Sequence, residues 1–199
     1  MTTHAQPIKA ICKLFRAHRY RRDPYTFFSD CMEATAIAIS NSVDRHHYEA
    51  REKRYLDIVG RYDRPAIDTF PKILAAIVDA LEATPGDILG ATFGELELQN
   101  RDAGQFFTPY TLCQFMAQVS VGTGDEARAL IDRHGFVRAL EPACGAGAMI
   151  IALAEAMRAQ GINYQRHLHV TAVDIDPRAV HMAYIQLSLL HVPAILIVG

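Results

Sequence analysis

Residues 140–149, Leu-Glu-Pro-Ala-Cys-Gly-Ala-Gly-Ala-Met, constrain this chain more than any other stretch. A short apolar run (Phe136, Val137, Ala139, Leu140) precedes them and an alanine-rich helical pattern follows. A strand therefore runs into a glycine turn, and the turn opens a helix. That geometry points backbone N–H groups and a helix N-terminus at whatever sits above the strand. Glu141 adds a carboxylate at the strand's end, where a purely phosphate-binding loop gains nothing from negative charge. An anion there suits a ligand that carries positive charge.

From this loop onward the hydrophobic pattern alternates: strand 136–141, helix 147–160, strand 168–174, helix 177–191, strand 194–198. Such β-α-β-α-β order predicts a parallel sheet with right-handed crossovers. The first hundred residues read differently, as an all-helical module. Ile8, Ile11, Leu14 and Phe15 mark a helix over 7–20, and Asp23-Pro24 starts a second that buries Tyr25, Phe28, Met32 and Ile39 and ends near Asn41. A third spans 44–60 with Tyr48, Tyr55, Ile58 and Val59 on one face and Gly60 at its end. A fourth covers 66–83, where Pro71 either kinks it or marks its true start, and a short helix runs on through Phe93 to Leu98. After a polar loop at 100–105, Thr108 caps a helix with Pro109 at its first position, burying Leu112, Phe115, Met116 and Val119. A short helix ending at Gly135 then leads into the first strand.

Composition narrows the class. Half of the 199 residues are hydrophobic and about a fifth charged, as in ordinary globular proteins. The sequence shows neither an 18-residue apolar run nor a signal-peptide hydrophobic region, so the expectation is a cytoplasmic protein with no membrane partner. The cysteines (Cys12, Cys31, Cys113, Cys144) form no C-x-x-C pair, which indicates neither zinc nor a disulfide framework. Residues 1–64 hold 12 Lys and Arg against 8 Asp and Glu, while the remainder is acidic. The arginines at 16, 19, 21 and 22 fit phosphate contacts, or simply a favourable charge at a helix C-terminus. His46-His47 lies on a polar helix face, and His167 and His169 share one face of a strand. With no third ligand at metal spacing, no metal site is expected.

Cys144-Gly145-Ala146-Gly147 alone also fits a dinucleotide turn. Ile150 stands where the third glycine of G-x-G-x-x-G would be, which weakens the pyrophosphate reading. The second strand ends in Ala172-Val173-Asp174-Ile175-Asp176-Pro177. Asp174 at its tip suits two ribose hydroxyls, and Ile175 can lie flat against an adenine ring. Upstream stands Gly104-Gln105-Phe106-Phe107-Thr108-Pro109, which taken alone is a loop folded onto the core.

In this order the three motifs resemble those of the adenine-N6 DNA methyltransferases, in particular the methylation subunits of type I restriction–modification systems. The resemblance runs from about Asp87 to Val198 and extends to the helical N-terminal module. It implies an α/β fold: a helical module (1–100) followed by a partial S-adenosylmethionine-binding domain (101–199), the first half of a Rossmann-like methyltransferase sheet. It also implies S-adenosylmethionine as cofactor. Phe106, Thr108 and Pro109 would line its methionine end. Glu141, Ala143, Gly145 and Gly147 would form the main cradle, with Glu141 near the α-amino group. Asp174 would take the ribose hydroxyls and Ile175 the adenine. The implied partners are DNA and a specificity or second methylation subunit.

The sequence departs from the family in one respect. Transfer to adenine N6 needs a flipped base held by an [N/D/S]-P-P-[Y/F/W] motif, and no such tetrapeptide occurs in residues 1–199. Asp23-Pro24-Tyr25 lacks the second proline. The expectation is therefore a truncated or partial chain, inactive by itself and with no catalytic residue to name. The alternative is an interaction module that associates with methylation or specificity subunits.

Overall fold

The computed structural model describes residues 5–18, 23–98 and 108–199. Six helices make up the described part of the first half: α1 (Ala5–Arg16), α2 (Pro24–Val43), α3 (Tyr48–Val59), α4 (Arg64–Ile67), α5 (Phe70–Ala83) and α6 (Ile88–Glu95). Capping explains several starts. Asp23 accepts the Thr26 N–H at 2.7 Å with Pro24 in the first turn of α2, and Asp63 does the same for Ala66 at α4. Pro71 stands in the first turn of α5 and separates it from α4, so it marks a start and not a kink. The third helix begins only at Tyr48. Asp44 accepts the His46 N–H and the Arg51 guanidinium, which holds 44–47 as a turn, and His46 and His47 are exposed in it rather than on a helix. Of the four residues expected to bury α3, only Ile58 is buried.

The second half holds α7 (Tyr110–Val121), α8 (Asp125–His134), β1 (Val137–Glu141), α9 (Ala148–Ala159), α10 (Tyr164–His167), β2 (Leu168–Asp174), α11 (Pro177–Leu189) and β3 (Ala194–Val198). The three strands are parallel in the order β1-β2-β3, with Leu140, Thr171 and Ile195 in register. Stepping in one direction with right-handed crossovers lays α9 and α11 on the same face. That face is apolar and covered: Leu168, Val170 and Ala172 are buried, and Val137, Ala139 and Leu196 pack on the same core. The opposite face is open, with Leu140, Ile195 and Ile197 exposed. His167 closes α10 and bonds the Gly135 carbonyl through Nδ1, so it does not share a strand face with His169.

The helical half and the sheet half share one continuous cluster of buried residues, from Ile11 to Val192. Helix α2 packs along α11, and the Arg178 guanidinium lies 4.3 Å from the Tyr25 ring centroid. No helix among the described residues is long and apolar enough to cross a membrane. Arg19, Arg21, Arg22, the loop at 100–105 and Phe106 lie outside the described residues.

Helix α7 departs most from expectation. Pro109 takes the cap position and Thr108 makes no capping bond. The stripe expected in the core is exposed: Leu112 46 %, Phe115 63 %, Met116 45 %, Val119 67 %. Cys113 and Ala117 are buried instead, against Ala152 and Ala156 of α9. Small residues on both sides let the two backbones approach closely, and helix α7 turns that narrow face inward.

Candidate functional site

The glycine loop between β1 and α9 is pinned almost residue by residue. Glu141 accepts the Ala143 N–H at 3.2 Å, and the Cys144 N–H donates to the Val173 carbonyl at 2.8 Å. The Gly145 N–H donates to Asp174 Oδ2 at 2.8 Å, and the Gly147 N–H returns to the Cys144 carbonyl. Gly145 and Gly147 sit at φ 53° and φ 94°, a left-handed backbone that favours residues without Cβ. The strand end is ordered in turn, since Asp174 Oδ1 accepts the Asp176 N–H at 2.9 Å. Two carboxylates, Glu141 and Asp174, therefore flank one loop at the C-terminal ends of adjacent parallel strands. Open α/β sheets bind ligands at this end.

Cys144 reports the local field. Burial first, then the charges of Asp174 and Glu141, push its thiol up to about 12. A thiol so protected is no nucleophile at neutral pH. The same negative field favours a cation in the mouth of the loop. Ile175 projects beyond the strand tip, 85 % exposed. Ala143, Thr108 and Pro109 are also exposed, and Cys113, just inside α7, feels the charge of Glu141. Among the described residues no group of three or more His, Cys, Asp or Glu is placed to hold a metal.

Two further residues hold this loop. Gln186 of α11, fully buried, donates through Nε2 to the Ala146 carbonyl at 2.8 Å and to Asp87 Oδ1 at 3.0 Å. Its Oε1 accepts the Leu89 N–H at 2.9 Å. Sequence reasoning missed both Gln186 and Asp87. One signal was present: Gln186 continues the buried face of Ala179, Met182 and Ala183, where a lone amide needs a partner.

The profile of the N-6 DNA methylase family matches residues 86–193, more than half of the chain. The chain belongs to that family. The match includes the segment at 104–109, the glycine loop and Asp174 within one span of the N-6 DNA methylase profile. A solved structure, the type I restriction–modification methyltransferase subunit of Streptococcus thermophilus, is similar over 96 % of this chain and 57 % of its own. Identity is 13 % and the TM-score 0.42. This N-6 methylase chain thus spans little more than half the length of that protein. No curated protein matches it.

Proposed function

We propose that this chain binds S-adenosylmethionine through the glycine loop and Asp174, and serves adenine-N6 methylation of DNA as part of a type I restriction–modification methylation subunit. The observation that carries this reading is the bond from Gly145 N–H to Asp174 Oδ2, which ties the loop to the acidic strand end. Each Asp174 oxygen already accepts one backbone N–H, and its remaining lone pairs suit the two ribose hydroxyls. The residues fit the cofactor chemically. It brings an ammonium and a sulfonium to a mouth flanked by two carboxylates, and when bound it supplies the methyl group.

In this assignment Glu141 holds the α-ammonium, while Ala143, Gly145 and Gly147 let the backbone approach. Ile175 covers the adenine face, and Phe106, Thr108 and Pro109 line the methionine end. The cofactor region then occupies 101–199, with 1–100 as a helical module whose basic segment, residues 1–64, faces DNA. A cytoplasmic location and a specificity or second methylation subunit as partner belong to the same proposal.

Calorimetric titration of the folded protein with S-adenosylhomocysteine tests it. Asp174→Ala removes charge-assisted hydrogen bonds, and the expected loss is about tenfold or more in affinity. Absence of heat from folded protein would count decisively against cofactor binding, and unchanged affinity in Asp174→Ala against the site.

A second reading, an interaction module for methylation or specificity subunits, draws on the exposed α7 stripe and the outer edge of β1, which has no strand partner among the described residues. Light scattering after size exclusion, with and without such subunits, separates it. A stable monomer that ignores them argues against an interaction module.

A further inference from the structure

Glutamine 186 lies on α11, outside the glycine loop, yet it completes the loop's fixation. Its amide has two N–H donors and one carbonyl acceptor, and all three are engaged at 2.8–3.0 Å. The partners are Ala146 O, Asp87 Oδ1 and Leu89 N–H. Ala146 stands between the two positive-φ glycines and is itself buried. Because the peptide unit is planar, a hydrogen bond that fixes the Ala146 carbonyl also fixes the Gly147 N–H on the opposite side. That unit opens α9, where the N–H groups that face the site begin.

The other end of the clamp is equally definite. Asp87 caps α6 by accepting the Gly90 N–H at 2.9 Å, and the same Oδ1 takes the second Gln186 donor. Leu89, in the first turn of α6, holds the amide oxygen. Glutamine is suited to this position and glutamate is not. A carboxylate there would confront the Asp87 carboxylate and the Ala146 carbonyl with no proton to offer. We propose that Gln186 is a positioning residue for the cofactor loop, and that through Asp87 and Leu89 it makes the geometry of that loop depend on the seating of α6. This rests on the cofactor reading above.

The loop can be disturbed from either end of the clamp. Gln186→Met keeps length and removes all three hydrogen bonds. Gly90→Ala touches no loop residue, and alanine favours a helix. Its Cβ, however, would lie 2.1 Å from Asp87 Oδ2 and 2.7 Å from Cγ, so the Asp87 carboxylate must move and release Gln186. Asp87→Asn is the conservative control, since the asparagine carbonyl still accepts from Gly90 and Gln186.

Two measurements on each folded variant decide the matter: calorimetric affinity for S-adenosylhomocysteine, well below the melting temperature, and NMR amide exchange at Gly145 and Gly147 without ligand. Gln186→Met and Gly90→Ala should bind about tenfold more weakly and exchange faster, with Asp87→Asn near wild type. A purely structural role would lower the melting temperature and leave affinity and loop exchange unchanged, which overturns the proposal. If Gln186→Met fails to fold, Gly90→Ala decides by the same criteria. If wild-type protein binds no S-adenosylhomocysteine, the cofactor reading fails, while loop exchange in the variants still decides whether Gln186 positions the loop.

Discussion

His191 adopts φ 54° just beyond α11, a left-handed conformation that costs a residue with Cβ about 1 kcal/mol. The position is fixed by the turn. Val192 N–H returns to the Leu187 carbonyl at 2.9 Å and His191 N–H to that of Ser188, the pattern that usually carries glycine. The imidazole is exposed and has no role in the site. His191→Gly should therefore raise the unfolding free energy by about 0.5–1 kcal/mol in urea denaturation. A loss of stability would show that the imidazole makes a contact of its own. The thiols act in the opposite direction. Burial raises the pKa of all four cysteines above the ordinary value near 9.0, Cys144 up to about 12. Folded protein keeps these protons where the unfolded chain releases them. The unfolded state then binds fewer protons, so stability falls as pH rises from about 9 toward 12. Urea midpoints should drop between pH 8 and pH 10, and less steeply in Cys144→Ala. An equal slope in that variant would exclude Cys144 as a contributor.

At the scale of elements, what sequence made legible depended on how locally each element is specified. Strands β2 and β3 fall on the expected residues because turn chemistry brackets them: Asp176-Pro177 follows one, and Pro193 precedes the other. The glycine loop and Asp174 were readable for the same reason, as a short local pattern. Helix α7 was not. Amphipathic reasoning assigns the bulky stripe to the core, but close approach to α9 selected the small face of Cys113 and Ala117. The roles of Gln186 and Asp87 escaped because their bond spans 99 positions, and no local period carries it. The inverted burial of α7 makes a sharp contrast. Ala117→Leu forces new methyl groups into the α7–α9 seam and should cost about 1–3 kcal/mol. Phe115→Gln, on the open side, should change stability by less than about 0.5 kcal/mol. Comparing the two denaturation midpoints decides which face is buried, and the reverse ranking would restore the amphipathic assignment.

The whole molecule is knitted across its two halves, and this determines how it should unfold. Helix α2 belongs to the helical half by sequence, yet it packs along α11, which follows β2 in the sheet. Arg178 of α11 bonds Asp176, just beyond β2, at 2.7 Å and crosses to the helical half by stacking on Tyr25 of α2. The main buried cluster is continuous between them, and the second, in the α7–α9 seam, holds four residues, so neither half has a large apolar interior of its own to melt. Two independent units would give two transitions, and one shared core should give a single cooperative one. Phe28, fully buried in α2 against Phe15 and Phe93, tests this from the far side. Phe28→Ala should cost about 3–5 kcal/mol. Amide exchange on the β2 strand should accelerate together with that of α2, although Phe28 lies 140 residues earlier than β2's first residue. If β2 keeps its wild-type protection while α2 loses its own, the halves unfold separately. In that case the Gln186 clamp would be a seam between domains, and its effect on the glycine loop would have to survive without the helical half.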